Sequence, residues 1–293
     1  MSRVALIMST YNSAAFVTNA LESCLTQDYP DIVVVVADDG STDNTIEVME
    51  KVQEKYSNLS IIPLPHGERG VARIAAIDKA RELQAQYLVV LDSDMVLQPG
   101  LVRECVAYLD RNPEVGALVL PEIAFSDSDN YWTKVKVFER NVLNNAGEDW
   151  GRNSIEAARF WRFDAYDSTG GFNPNQISFE EIQPTIRYDA AGGIVKRATF
   201  TGLYHDEKYA TLKNLVEKKK YYFSVMDNTL SSEDQGIKSA LQRFYFFRPV
   251  LYRSSNLKQY ASHPGLAAGM GVMYVTLSGV AASEVLKSRL RKD

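Results

Sequence analysis

The sequence has very little cysteine or histidine. Its 293 residues include 2 cysteines and 3 histidines. Cys24 and Cys105 each lack a second cysteine at CxxC spacing, which argues against a thiolate metal site or a redox pair. Both positions fall on the apolar faces of predicted helices. We therefore expect two core thiols in a reducing compartment.

Other motifs are missing from the first predicted strand and its surroundings. No G-x-G-x-x-G follows that strand, which disfavours a dinucleotide oxidoreductase. No Asp-x-Asp follows it either, whereas a hydrolase with an aspartate nucleophile would be expected to place one there. The first nine residues carry Arg3 and have neither the apolar stretch nor the cleavage site of a signal peptide. We therefore expect the active domain to be cytoplasmic.

The composition is that of a folded protein with an uneven charge distribution. Apolar residues make up 45% and charged residues 24%, both ordinary for globular domains. Residues 201–293 hold 14 Lys and Arg against 8 Asp and Glu, while residues 1–200 hold 18 against 29. The basic tail suits phosphates or anionic lipid, and solvated lysine-rich helices explain it equally well.

Short β-branched runs alternate with helical stretches from residue 3 to about 121. This alternation predicts βα units and a mainly parallel sheet flanked by helices, an α/β fold. Each run is apolar enough to be buried on both faces. The predicted strands span residues 4–8, 32–37, 59–62, 87–91 and 117–120.

Polar clusters follow three of these strands. Residues 9–12 follow the first strand, residues 38–41 the second, and Asp92, Ser93 and Asp94 the fourth. Ligands of open parallel sheets bind at the carboxyl ends of the strands. We therefore expect the three clusters to line one anionic, hydroxyl-rich crevice.

Asp92 and Asp94 are spaced i, i+2 after a buried strand. Buried carboxylates are costly unless they are paired or bound to metal, and a hard divalent ion suits them. One of the two would bind a ribose hydroxyl and the other the ion. An aspartate pair in a turn or at a helix cap is the alternative, because Asp-x-Asp alone is a weak motif.

The three clusters in this order resemble the N-terminal signatures of glycosyltransferase family 2. The resemblance is strong over residues 3–122 and looser over 160–205. It implies a GT-A fold, a UDP-sugar or GDP-mannose donor, Mn²⁺ or Mg²⁺, and inversion at the anomeric carbon. The donor-binding residues that it implies are Thr10, Tyr11, Asn12, Asp38, Asp39, Arg73, Asp92 and Ser93, and the implied metal ligands are Asp92, Asp94 and His205. The family usually has Asn after the arginine, where this chain has Ile74.

An inverting enzyme also needs a base that takes the proton of the acceptor hydroxyl. A Gly-Gly-Phe sequence at 170–172 precedes Glu180 and Glu181, similar to the family segment that ends in a Glu-Asp pair. That resemblance makes Glu181 the base and Glu180 its companion. Two glutamates at a helix N-terminus are otherwise ordinary partners of the helix dipole.

The C-terminal region differs in character from the rest. We expect a GT-A domain over residues 1–205 and a helical, basic extension over 206–293. Residues 264–283 carry no formal charge and are long enough to span a bilayer, but glycines dilute them. One apolar stripe there, followed by four basic residues, favours peripheral attachment to an anionic cytoplasmic membrane surface over a plain packed helix. The stripe comprises Leu266, Met270, Met273, Leu277 and Val280.

The family resemblance implies an inverting hexosyltransferase that acts on a hydroxyl acceptor. The base candidate and the apolar tail together suggest a lipid-linked glycan as that acceptor. A glycosyltransferase that charges a polyprenyl or dolichyl phosphate is the first alternative, because such enzymes share the N-terminal motifs. A sugar-nucleotide-binding protein without turnover is the second. We expect no nucleic-acid partner.

Overall fold

The predicted alternation of strands and helices forms a mostly parallel, seven-stranded sheet. The computed structural model describes residues 2–67, 69–153, 156–173, 182–224 and 245–290. The strands are β1 (Val4–Thr10), β2 (Ile32–Asp38), β3 (Leu59–Pro63), β4 (Tyr87–Asp92), β5 (Met95–Leu97), β6 (Val115–Val119), β7 (Glu122–Phe125), β8 (Arg159–Arg162), β9 (Ile194–Arg197) and β10 (Leu203–Asp206). The large sheet has the order β3-β2-β1-β4-β8-β6-β9. All neighbours in it are parallel except β8, which runs antiparallel to β4 and β6.

Ten α-helices accompany these strands in the described part of the chain. They are α1 (Val17–Leu25), α2 (Thr45–Gln53), α3 (Arg69–Glu82), α4 (Leu101–Arg111), α5 (Tyr131–Asn144), α6 (Phe163–Ser168), α7 (Gln183–Ala190), α8 (Leu212–Ser224), α9 (Ser254–Ser262) and α10 (Pro264–Leu290), with 3-10 turns at Glu148–Asn153, Tyr245–Phe247 and Pro249–Tyr252. Alternate residues of β1 belong to two hydrophobic clusters. Leu6 joins the cluster that contains Leu21 of α1, and Ile7 joins the cluster that contains Ala76 of α3. The sheet therefore has a helix layer on each face.

Two helix starts differ from what the sequence predicts, which is a cap at Asn12 and Ser13 for the first helix and a first-turn position for Pro99 in the helix over 101–109. Asn12 and Ser13 do not cap α1, which begins at Val17, because the Asn12 side chain is bonded to another loop. Pro99 does not occupy the first turn of α4. Gly100, at φ 83°, stands between it and the first helical residue, and this left-handed conformation suits glycine.

The chain divides into two units. The first comprises Met1–Glu122 and Gly147–His205, and it holds the large sheet. The second comprises Ile123–Ala146 and Asp206–Asp293. It therefore takes α5 from the middle of the chain in addition to the predicted extension over 206–293.

Helices α5, α8 and α10 pack together in the second unit. Met270, Met273 and Leu277 of the predicted apolar stripe are buried in this unit, so these three side chains pack against protein. Residues Pro264–Ser283 form one helical segment long and apolar enough to cross a membrane, and a third of it is buried within the fold. Length and composition are the only grounds for that assignment.

Candidate active site

The loops after β1 and β2 are joined through Asp38. The Thr10 hydroxyl donates to Asp38 Oδ1 over 2.9 Å, and the Ser41 backbone N–H donates to Asp38 Oδ2 over 2.8 Å. The Ser41 hydroxyl also donates to Oδ1. Asp38 is almost fully buried. Its carboxylate therefore shapes the turn that presents the next residue, Asp39.

Asn12 ties the same two loops together from the other side. Its side-chain oxygen accepts from the backbone N–H groups of Thr42, over 2.8 Å, and Asp43, over 3.3 Å. Its own backbone N–H donates to the Ser41 hydroxyl over 2.8 Å. Asn12 has φ 50°, a left-handed conformation that asparagine adopts more readily than most residues. The loops after β1 and β2 thus form one braced rim.

An aromatic surface lies on this rim. The rings of Tyr11 and His66 are stacked, with their centroids 4.5 Å apart and their planes 21° apart. Asp39 holds the segment that carries His66, because its Oδ1 accepts from the Gly67 N–H over 2.8 Å. The partly exposed Tyr11 ring and the adjacent Asp39 carboxylate have the chemistry that binds a nucleobase. Sequence reasoning missed His66, although it follows β3 at the same edge of the sheet.

Arg73 is buried behind Asp92, at the end of β4. Its guanidinium forms an ion pair with Asp92, with Nη2 2.6 Å from Oδ1, and its side chain is 1% exposed. It also lies over the Phe172 ring at 5.8 Å. The structure therefore places Arg73 against Asp92 at the end of β4, and its predicted contact with the base or the diphosphate stays a prediction.

Ser93 and Asp94 connect β4 to the short strand β5. The hydroxyls of Ser93 and Ser13 are 3.1 Å apart. Strand β10 pairs antiparallel with β5, with His205 opposite Met95. This pairing brings His205 Nε2 to 3.8 Å from Asp94 Oδ1. Residues more than a hundred positions apart in sequence thus become neighbours.

The Asp94 and His205 pair fits a divalent cation. Ligand atoms that lie about 2.0–2.2 Å from one ion stand at most about 4.4 Å apart, and the observed separation is 3.8 Å. Within the described ranges, no group of three or more Asp, Glu, His or Cys side chains forms a complete metal cage. Mg²⁺ is commonly held by one or two carboxylates together with substrate phosphates, so a partial set is what such a site requires. Asp92, the third predicted ligand, points instead to Arg73.

Glu181, the predicted base, lies outside the described residues. Its companion Glu180 does too. The structure does describe the turn before them. Gly170 and Gly171 have φ 76° and 71°, which favour glycine. Arg187 of α7 donates to the backbone carbonyls of Thr169 and Gly171. Arg187 therefore fixes the Gly-Gly-Phe turn against the helix that follows.

Comparison with solved structures defines the fold. A mannosyltransferase from Pyrobaculum calidifontis, PcManGT, solved with GDP-Man and Mn²⁺, has a TM-score of 0.60 and 17% identity, and the match covers 97% of this chain and 87% of that chain. Staphylococcus aureus TarS in complex with UDP-GlcNAc has a TM-score of 0.57 and 18% identity, covering 94% of this chain and 81% of that one. These similarities establish the GT-A fold.

The family follows from the sequence comparison. The model of glycosyl transferase family 2 matches residues 5–177, more than half of the chain. The chain belongs to this family. Chondroitin synthase from Pasteurella multocida (strain Pm70) is 25% identical over 241 residues, which is 78% of this chain and 23% of that protein. The chain thus spans about a quarter of that relative's length.

Proposed function

We propose that this glycosyltransferase transfers a hexose-type sugar from a nucleoside diphosphate sugar to a hydroxyl acceptor, with inversion of the anomeric carbon. The observation that carries the proposal is the meeting of strand-end segments at one edge of the sheet, with His205 3.8 Å from Asp94. The similar structures solved with UDP-GlcNAc and with GDP-Man support a nucleotide-sugar donor.

In this proposal the rim of the β1 and β2 loops holds the nucleoside. The Tyr11 ring offers a face for the base and Asp39 accepts hydrogen bonds from it. Asp92, held in place by Arg73, accepts from a ribose hydroxyl. Ser93 and Thr10 complete the polar lining. Asp38 and Asn12 contribute indirectly, because they brace the two loops that carry these groups.

Asp94 and His205 would hold Mn²⁺ or Mg²⁺ beside the donor diphosphate. The bound cation would supply positive charge that stabilises the leaving nucleoside diphosphate. Carboxylate and imidazole together suit Mn²⁺, since imidazole is a common ligand of transition metals. The Mn²⁺ present in the PcManGT complex agrees with this choice.

Thermal shift tests the donor and metal assignments together. A ligand that binds only the folded state raises the melting temperature. The protein is screened against UDP-, GDP- and dTDP-sugars, each with and without Mn²⁺. We expect one nucleoside to raise Tm in a Mn²⁺-dependent manner in the wild type and to raise it less in D94N. A screen in which no nucleotide sugar shifts Tm, with or without the ion, would overturn the donor assignment.

Glu181 is proposed as the base that deprotonates the acceptor hydroxyl, on the ground of its position after the Gly-Gly-Phe turn. E181Q removes the basic oxygen with little change in size, and E180Q is the matched control. We expect the transfer rate of E181Q to be about 10²–10⁴-fold lower than that of the wild type, which is the typical contribution of a general base. Wild-type transfer by E181Q would show either that the base is another residue or that the acceptor is a phosphate, which is already ionised, as in the polyprenyl phosphate alternative.

The outward face of α10 supports attachment to an anionic membrane surface. Val272 and Val275 on this face are 53% and 65% exposed, and no Asp, Glu, Lys or Arg occurs between Lys258 and Glu284. Basic residues follow at 287–292. An uncharged helical face next to a basic segment suits an anionic lipid surface. A lipid-linked glycan at such a surface would be the acceptor.

Liposome co-sedimentation tests this attachment. The V272D/V275D double variant places two charges on the exposed apolar face, and A107D adds a charge to an exposed position of α4 as the control. We expect the wild type and A107D to sediment with phosphatidylserine vesicles and the double variant to remain in solution. Equal sedimentation of all three proteins would show that α10 is not the attachment surface.

A further inference from the structure

Glu122 is buried at the start of β7 beside the proposed cation site. Its side chain is fully inaccessible to solvent, and Oε2 lies 3.0 Å from His205 Nδ1. Its other oxygen, Oε1, accepts a hydrogen bond from the Ala157 backbone N–H over 2.8 Å. Both carboxylate oxygens are therefore engaged within the first unit. One of them contacts the residue that faces Asp94.

A buried carboxylate is costly unless its oxygens accept hydrogen bonds, so its location is set by its partners. The contact with His205 is made through Nδ1, while Nε2 faces Asp94 at 3.8 Å. The two ring nitrogens of a neutral imidazole differ, since one carries the proton and the other a lone pair. A carboxylate can only accept at Nδ1, so it favours the tautomer with the proton on that nitrogen. The lone pair then lies on Nε2, on the side of Asp94.

We propose that Glu122 is a positioning residue for the cation site: it holds His205 in the Nδ1-protonated tautomer and aims the Nε2 lone pair at the space beside Asp94. The inference rests on the proposed role of Asp94 and His205 as ligands. Carboxylates that accept from the second nitrogen of a metal-bound histidine fix the ring orientation and strengthen the ligand. The pairing of β5 with β10 sets the distance between His205 and Asp94, and Glu122 sets the orientation of the imidazole ring.

Glutamine at position 122 reverses the hydrogen-bonding pattern. With its amide oxygen toward the Ala157 N–H, its NH₂ group would face Nδ1, which would then have to accept. The proton would move to Nε2 and occupy the position that a cation needs. In the opposite orientation the amide NH₂ group would face the backbone N–H of Ala157, so that two hydrogen-bond donors would meet. The first arrangement keeps the Ala157 hydrogen bond and is therefore favoured, and it weakens cation binding while the loops after β1 and β2, built by other residues, are unchanged.

The experiment measures Mn²⁺ binding by electron paramagnetic resonance in the presence of the nucleoside diphosphate identified by thermal shift. We expect E122Q to raise the Kd for Mn²⁺ about 10–100-fold, the usual effect of losing such a partner. Nucleotide affinity in EDTA should stay within about twofold of wild type. The control is E156Q, since Glu156 is an equally buried carboxylate that pairs with Arg197 and not with His205. Unchanged Mn²⁺ affinity in folded E122Q would overturn the proposal.

A second measurement needs no variant and so does not depend on folding of E122Q. Long-range ¹H–¹⁵N correlation spectra of the metal-free wild type report which ring nitrogen of His205 carries the proton, with H205Q used to assign its signals. We expect a protonated Nδ1 and an unprotonated Nε2, and the opposite tautomer would overturn the proposal. Failure of the wild type to bind Mn²⁺ would instead refute the proposed metal dependence. The two failures are therefore distinguishable.

Discussion

The guanidinium of Arg73 and the carboxylate of Asp92 meet 2.6 Å apart, with Arg73 almost fully buried and Asp92 partly exposed. The arginine therefore holds Asp92, a residue of the proposed donor site, in place. R73M removes this support while keeping a long side chain. We expect it to lower both the donor affinity and the free energy of unfolding, the latter by about 1–3 kcal/mol, since a partly buried carboxylate loses its partner. Thermal melting and donor titration check the two effects.

D92N is the matched variant for R73M. If Arg73 acts through Asp92, the double variant should lose less donor affinity than the sum of the two single losses, because both changes remove the same contact. A direct contact between Arg73 and the donor would give a different result. In that case the losses of donor affinity in the two single variants would add.

Gly40 brings the β2 loop close to the segment that carries His66. Its φ is 70°, and a Cβ there would lie 2.5 Å from the His66 backbone nitrogen. G40A therefore combines a strained conformation with a clash against backbone. The control is G170A, where φ is 76° but an added Cβ meets nothing within 4 Å. We expect G40A to lower Tm more than G170A and to weaken nucleotide binding. Equal losses of stability would show that the approach of His66 is not tight.

Glu139 in the second unit predicts a pH-dependent stability. Burial raises the pKa of this carboxyl, but Lys136 and Arg248 outweigh it and hold the pKa at about 2, below the ordinary value of 4.5. The folded state therefore favours the ionised form. The resulting stabilisation is complete above pH 4.5 and is lost as the pH falls towards 2. Tyr274 of α10 also donates to this carboxylate over 2.9 Å.

E139Q tests the predicted direction of this pH dependence. At pH 7 we expect it to cost about 3–5 kcal/mol, because it leaves buried cations without their partner. Urea unfolding at several pH values should show the difference from wild type shrinking between pH 4.5 and 2. E217Q is the control, since Glu217 and Lys213 form an exposed pair worth little. A difference between E139Q and wild type that does not change with pH would contradict the assigned pKa.

Two glycines of α10 form a matched pair for packing in the second unit. A Cβ on Gly269 would clash with the Tyr131 hydroxyl and lie 2.6 Å from Val135 Cγ2, whereas a Cβ on Gly271 meets nothing within 4 Å. We expect G269A to destabilise the protein by about 1–3 kcal/mol through overpacking. G271A should stabilise it by up to about 1 kcal/mol through helix propensity. Chemical denaturation compares them, and equal effects would contradict the close packing of α10 on α5.

The first four parallel strands were predictable because each is a short apolar run ended by polar residues. The predicted runs at 4–8 and 32–37 match β1 (Val4–Thr10) and β2 (Ile32–Asp38) within two residues. The same pattern located the strand-end clusters, because parallel strands present their carboxyl ends at one edge. The mixed pattern after residue 125 gave no comparable guide.

Long-range contacts limited what the sequence could predict. Glu122 follows a predicted strand, yet nothing near it in sequence indicates that its partner is His205. The role of Arg73 was equally hidden, because burial of a charged side chain depends on the carboxylate it meets. The predicted apolar stripe of α10 was a genuine helical face, but hydropathy alone did not distinguish a face that packs on α5 and α8 from one that contacts lipid.

The pairing of β5 with β10 has a consequence for how the enzyme folds. Asp94 and the nucleoside rim come from the first third of the chain, whereas His205 lies beyond residue 177, where the family match ends. A chain that has formed its first four strands already has the proposed nucleotide-binding edge but no imidazole beside Asp94. Closing that long loop is entropically costly and slow. The proposed cation site would therefore be completed late, and Mn²⁺ binding there would report that the first unit has finished folding.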